Sequence, residues 1–325
     1  MKNILLIMGG GSTEHDISLI SAEYIKTQID RSKFKLITVE IDKDFKWRLD
    51  GNLCELSSAR LLKTSEDAIE IHAAIPCIHG YPGETGDIQS FFEMIGLPYF
   101  GCNSETSVLC FNKLMTKLML EVHGLKTAPF MQVNSLADLI AAQAFFNQHK
   151  SVYVKATNQG SSVGCYRVDK SDELEGIIKD AFRFSPYVII EKEIIGRELE
   201  VSAFEFDGKV HTTKPGEIDC PSDFYTYEAK YDQDSQTKTI VQAQDINEEA
   251  LNEIHRQAGV AFSALKLRHL SRIDFFLTTD GEVLINEINT FPGHTNISMF
   301  PMMMENYGVK YSEFINQHLS TLVQN

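Results

Sequence analysis

Every position from Ile4 to Met8 is apolar, and the run breaks at Gly9-Gly10-Gly11-Ser12. A short continuous apolar run bounded by glycines predicts a strand buried on both faces, as in a parallel sheet. The period then changes, with Ile17, Ile20, Tyr24 and Ile25 at helical spacing. Strand, glycine turn and helix open an α/β domain. Lys35 to Ile41 and Ala73 to Ile78 read as further strands and Ile88 to Ile95 as a helix, giving β/α alternation to about Cys102.

One helix is predicted from Ser104 to His123, leading into strands near Phe130 to Val133, Val152 to Ala156, Val163 to Val168 and Tyr187 to Glu193. Ser135 and Ser171 read as the caps of helices between them. Beyond Glu198 the strands pair locally. Leu199 to Phe206 turns at Asp207-Gly208 into Lys209 to Thr213, and Ile273 to Leu277 turns at Asp280-Gly281 into Val283 to Ile288. Pro215 to Thr239 has no periodicity and reads as a long mobile loop. The expected fold is α/β followed by α+β in three domains: residues 1–103 around a parallel sheet, 104–193, and 194–325 carrying the loop 215–239.

Composition narrows the choices. A chain of 325 residues with 43% hydrophobic content can fill more than one core. No apolar run approaches the roughly 20 residues of a membrane span. The N-terminal run is too short for a signal peptide, so a cytoplasmic location is expected. The six cysteines show no C-x-x-C spacing and read as free thiols. A formal net charge of -15 argues against nucleic-acid binding. An acidic chain that handles an anionic nucleotide must gather cations locally or borrow them from metal ions.

The hairpin Arg272 to Asn289 carries the sharpest chemistry. With a two-residue turn at Asp280-Gly281, Asp274 lies opposite Glu287 and Arg272 opposite Asn289, all on one face. Ile273, Phe275, Leu277, Leu284 and Ile288 then form the core face. Opposed carboxylates repel unless a cation sits between them, and two acids with an amide oxygen suit magnesium. A solvated face with a cross-strand ion pair is the other reading.

Other segments are less specific. Gly9 to His15 places amides at a helix start, and Glu14 there suits a cationic group better than a pyrophosphate; a plain tight turn is the alternative. His79-Gly-Tyr-Pro-Gly-Glu-Thr-Gly86 follows a buried strand, where open α/β sheets place ligands. Lys155 precedes a small-residue loop, Gly160-Ser-Ser-Val-Gly164, suited to phosphates. That loop also reads as G-x-S-x-G with Ser162 as nucleophile, but strand rather than helix is predicted after it, which rejects a hydrolase elbow. Glu191 and Glu198 bracket a segment suited to a ribose and an adenine, or to a charged linker.

Together these segments, with Tyr227-Glu-Ala-Lys-Tyr231 and Glu287-Ile-Asn-Thr-Phe-Pro-Gly293-His-Thr295, resemble the D-alanine–D-alanine ligases of the ATP-grasp superfamily from Gly9 to Pro301. Thr85 stands where many relatives have Asp, and Ala156 where many have Pro.

The resemblance implies a three-domain ATP-grasp architecture, with ATP between the second and third domains. Lys113 and Lys155 would meet its phosphates, Glu191 the adenine and Glu198 the ribose, with Lys230 also at the nucleotide. Asp274, Glu287 and Asn289 would hold two magnesium ions, for which manganese could substitute. Glu14 would orient the first D-alanine's ammonium, His79 would lie near its carboxylate, and Ser161 with Tyr231 would link the loop to Glu14. Arg272 and the Gly293 amide would hold an oxyanion, while Ser298 and the Met299 amide would receive the second carboxylate. The implied product is D-alanyl-D-alanine, made through an acyl phosphate for peptidoglycan synthesis by a homodimer. A same-fold enzyme making D-alanyl-D-serine or D-alanyl-D-lactate is the alternative.

Overall fold

A computed structural model describes residues 1–219 and 238–324. The first segment runs β1 (Lys2–Gly9), α1 (His15–Gln28), β2 (Phe34–Ile41), β3 (Trp47–Leu49), β4 (Asn52–Leu53), β5 (Glu55–Leu56), β6 (Leu61–Lys63), β7 (Ala68–Glu70), β8 (Ala73–Cys77) and α2 (Asp87–Met94). β1 lies between β2 and β8, parallel to both. Its unbroken apolar run has a direct cause. Ile4 and Leu6 point into one core with α1, while Leu5 and Ile7 point into another with Ile88 and Phe92 of α2.

The sheet is not purely parallel as expected, because β3 and β4 extend it antiparallel beyond β2. Asp50 and Gly51 both adopt positive φ in the tight turn between those two strands. A chain reversal that short can make only an antiparallel pair, since parallel pairing needs a long crossover. β5, β6 and β7 form a separate three-stranded antiparallel sheet that the sequence reading did not include. Ile20 also departs from expectation, being 54% exposed.

The middle of the chain forms α3 (Ser104–Phe111), α4 (Lys113–Val122), β9 (Phe130–Val133), α5 (Leu139–His149), β10 (Val152–Ala156), β11 (Cys165–Val168), α6 (Leu174–Ala181) and β12 (Val188–Lys192). The single helix expected over 104–123 is two. Asn112 takes extended dihedrals, and its side chain accepts from the amides of Leu114 and Met115, capping α4. The strands order β11-β10-β12-β9, all antiparallel, with Val154, Ile190 and Ile178 in their core.

The last part contains β13 (Gly196–Phe206), β14 (Lys209–Thr212), β15 (Gly216–Asp219), β16 (Lys238–Ile240), α7 (Glu248–Ala264), β17 (Leu270–Thr278), β18 (Val283–Asn289), α8 (Met299–Tyr307) and α9 (Tyr311–Leu322). Its strands order β16-β15-β13-β17-β18, with β14 also on β13. The loop expected over 215–239 begins and ends as strand, because β15 and β16 pair with each other. Its interior, 220–237, lies outside the described residues.

None of α7, α8 and α9 was anticipated. α7 packs Ile254, Ala258 and Phe262 onto Ile273 and Phe275 of β17, and the same core takes in Cys110 and Leu120 from α3 and α4. Phe300 of α8 and Tyr311, Phe314 and Ile315 of α9 join the core of Ile4 and Leu6, so the C-terminal helices tie the last sheet to the first. Among the described residues, no helix is long and apolar enough to cross a membrane.

Candidate active site

The β17–β18 hairpin does pair Asp274 with Glu287 and Arg272 with Asn289, but by a route other than the expected one. Near the turn Leu277 faces Val283 and Phe275 faces Ile285, one residue short of the predicted register. Thr278 and Glu282 close the loop instead, with the Gly281 amide donating to the Thr278 carbonyl at 3.0 Å and Gly281 at φ +87°. A bulge then leaves Asn286 unmatched and restores the pairing at Asp274. The core face consequently carries Val283 and Ile285 in place of the expected Leu284.

Arg272 forks onto Asp274, with Nε 2.8 Å from Oδ1 and Nη2 2.7 Å from Oδ2. Glu200, from neighbouring β13, lies 3.4 Å from the same guanidinium. Burial works against the charge on Arg272, but Asp274 and Glu200 outweigh it and hold its pKa well above the ordinary value. The Asn289 amide donates to Asp274 at 3.0 Å, which leaves its carbonyl oxygen for another ligand. Lys113, at the start of α4, approaches Glu287 at 3.4 Å and donates to the Gln159 carbonyl at 2.9 Å. Among the described residues no cluster of three or more His, Cys, Asp or Glu is arranged for a metal. Two carboxylates and an amide oxygen fit an ion that completes its shell from phosphate oxygens and water, as magnesium does.

Two cavities meet here. One, of about 510 Å³, lies between the four-stranded and six-stranded sheets and is lined by Lys155, Glu191, Glu198 and Asp274. The other, of about 610 Å³, reaches the C-terminal end of β1 and β8 and is lined by Glu14, His79, Asn289, Gly293, Ser298 and Met299. Lys113, Ser161, Glu200, Arg272 and Glu287 border both.

In the first cavity Glu191 on β12 stands between two lysines, 2.7 Å from Lys155 and 3.1 Å from Lys117. Burial pushes the Glu191 carboxyl upward, yet the two ammonium groups outweigh it and bring its pKa down to about 2. Lys155 is opposed by burial and raised by Glu191.

In the second cavity Glu14 borders the end of the glycine turn. The glycine amides themselves are not bare as expected, because Gly9 donates to Ser18 Oγ and Gly10 to the Ile41 carbonyl, both at 2.7 Å. His79 is buried, with Nε2 2.9 Å from Ser21 Oγ. Burial holds its pKa below the ordinary value, with Glu14 acting in opposition. Glu84 receives the Gly80 amide at 2.8 Å, and burial followed by the Glu14 charge pushes its pKa up to about 8. Thr85, the departure from the family pattern, donates to Asp87 at the start of α2.

Ser161 and Ser162 take left-handed dihedrals, φ 49° and 62°, and the chain continues as strand β11, not as the helix a nucleophile elbow requires. At Gly293 a side chain would come 2.9 Å from Ser298 Oγ, which accepts from the Thr295 amide at 3.0 Å. Lys230 and Tyr231 lie outside the described residues. The reading missed Lys117, Glu84 and Glu200. Lys117 fell in an amphipathic helix, and only its partner on another element gives it a charged role.

Two antiparallel sheets facing each other across a charged cleft, which opens at one end toward the carboxyl edge of a parallel sheet, define an ATP-grasp ligase. The family model described as D-ala D-ala ligase N-terminus matches residues 3–102, and that described as D-ala D-ala ligase C-terminus matches residues 119–320. A D-alanine–D-alanine ligase of Shewanella baltica is 49% identical over 97% of this chain and 96% of its own. The crystal structure of D-alanyl-alanine synthetase A from Vibrio cholerae superposes with a TM-score of 0.95 at 43% identity, covering 100% of this chain and 99% of that one. The VanG D-Ala:D-Ser ligase of Enterococcus faecalis is more distant in sequence, at 27% identity and a TM-score of 0.88 over 99% of each chain. This chain belongs to the D-alanine–D-alanine ligase family. Membership carries with it the use of ATP and a divalent metal ion.

Proposed function

We infer that the protein joins two D-alanine molecules into D-alanyl-D-alanine, with ATP converted to ADP and phosphate, for peptidoglycan precursor synthesis. One observation carries the reading: Arg272, Glu287 and Lys113 border both cavities, so a phosphoryl donor in one reaches an amino acid in the other. A carboxylate resists attack by an amine, and phosphoryl transfer from ATP converts it to an acyl phosphate. The second amine then attacks the acyl carbon and phosphate leaves.

In this reading the nucleotide occupies the 510 Å³ cavity, with Lys113 and Lys155 on its phosphates, Glu191 toward the adenine and Glu198 toward the ribose, and Lys230 is a further nucleotide-binding residue. Asp274, Glu287 and Asn289 hold two magnesium ions, whose chemistry is neutralisation of phosphate charge. Glu14 orients the first ammonium, His79 lies near the first substrate's carboxylate, and Ser161 and Tyr231 are linked to Glu14. Arg272 and the Gly293 amide steady the tetrahedral oxyanion, while Ser298 and the Met299 amide hold the second carboxylate. The chain divides functionally at 1–103, 104–193 and 194–325, works in the cytoplasm and pairs as a homodimer. Met115, Leu118 and Val122 support pairing, as they form an apolar stripe along one side of α4 that is 44, 42 and 76% exposed.

The decisive experiment measures phosphate release with ATP, magnesium and D-alanine, with L-alanine as control. Stoichiometric D-alanyl-D-alanine is expected with the D-isomer alone, and release without dipeptide would overturn the assignment. Competition among D-alanine, D-serine and D-lactate as second substrate separates the dipeptide from its alternatives.

A further inference from the structure

Lys117 has no contact with either substrate in the proposed function, yet among the described residues it is the most thoroughly buried ammonium of the site, 1% exposed. Its Nζ lies 3.1 Å from Glu191 Oε1, donates to Thr127 Oγ1 at 2.5 Å and sits 5.4 Å from the centre of the Phe130 ring. Lys155 takes the other carboxylate oxygen, Oε2, at 2.7 Å. Each oxygen of Glu191 thus has its own lysine. The two lysines differ in where they stand. Lys155 lines the cavity, whereas Lys117 stays behind Glu191, fixed by its hydroxyl and aromatic neighbours.

This asymmetry matters once a polyphosphate enters. A buried carboxylate left without a counter-charge is strongly unfavourable. Were Lys155 its sole partner, turning toward a phosphate would strand Glu191. With a second, immobile ammonium on the far oxygen, Lys155 can leave and the carboxylate remains neutralised.

We propose that Lys117 is a positioning residue for nucleotide binding: it is the permanent counter-ion of Glu191, and so releases Lys155 to the phosphates. The proposal rests on assigning the nucleotide to this cavity. It makes a prediction that a merely structural lysine does not, because the benefit falls on the phosphates and not on the base.

The test compares binding of ATP and adenosine, by calorimetry on the full chain, for Lys117→Met, Lys117→Gln and Lys155→Met. Both Lys117 variants leave Lys155 paired with Glu191, and the Gln variant keeps donors for Thr127 and Glu191, so a folded protein is available even if one variant fails. The expected result is at least tenfold weaker ATP binding with adenosine held within twofold, and an ATP affinity for Lys117→Gln close to that of Lys155→Met. Equal weakening of both ligands, or no weakening of ATP, overturns the role of Lys117. If Lys155→Met itself binds ATP as the unaltered protein does, the nucleotide assignment fails instead, which distinguishes the two failures.

Discussion

Glu191 shows how one side chain's neighbours set its chemistry. Burial alone would favour the neutral acid, but Lys117 and Lys155 reverse that and place the folded-state pKa at about 2 against an ordinary 4.5. A depressed carboxyl pKa contributes stability above the unfolded value, and that contribution is lost as pH falls through the folded one. Glu191→Gln is therefore expected to flatten the dependence of unfolding free energy on pH between 4.5 and about 2, measured by urea titration at each pH. An unchanged slope would mean that Glu191 is not held ionised by its lysines. Arg272 makes the second prediction at this scale. Lysine keeps the charge but not the fork that spans Asp274, so Arg272→Lys is expected to lower dipeptide turnover by about 10²–10³-fold, the usual size of a lost oxyanion donor. A loss below tenfold would remove Arg272 from that role. The acids and lysines of the motifs were legible as chemistry from the sequence. Lys117 was not, since nothing in its own helix marks it as the partner of a residue on β12.

The β17–β18 hairpin is where local rules gave a sound conclusion by an incomplete path. Period-two alternation and the Asp280-Gly281 signal placed the turn, and the opposed acids followed. The turn nevertheless takes one more residue than the tightest hairpin, and the bulge at Asn286 compensates. A one-residue slip sends every side chain beyond it to the other face. Inserting one alanine after Asn286 is accordingly expected to turn Glu287 away from the cavity and to abolish metal-dependent ATP turnover, followed by phosphate release, while far-ultraviolet circular dichroism stays close to that of the intact chain. Retained turnover would show that the bulge does not set the position of Glu287. The split of the predicted 104–123 helix is a similar case. Asn112 is neutral in the pattern of apolar positions, but its side chain caps α4 and so ends α3.

At the scale of the molecule, the core is shared across segments that sequence order keeps apart. Ile4 of β1 and Phe314 of α9 belong to one cluster, and α3 and α4 pack with the last sheet although they precede the middle one. The exposed stripe on α4 is left over from that packing, and a second copy is the occupant proposed for it. Leu118→Glu is expected to convert a dimer to a monomer in sedimentation velocity with the melting temperature little changed, and a dimer that persists would place the interface elsewhere. By itself the sequence determined β1, β2 and β8 of the first segment, the strands of the middle sheet, most helices of both, the two hairpins, and the residue types of the proposed site, because period, turn residues and short motifs are encoded locally. Only the tertiary structure decided the antiparallel extension of the first sheet, the sharing of cores by the C-terminal helices, the restored register at Asp274, and the lysine pair on Glu191. Each of these depends on contacts between residues far apart in the chain, which no window of the sequence contains.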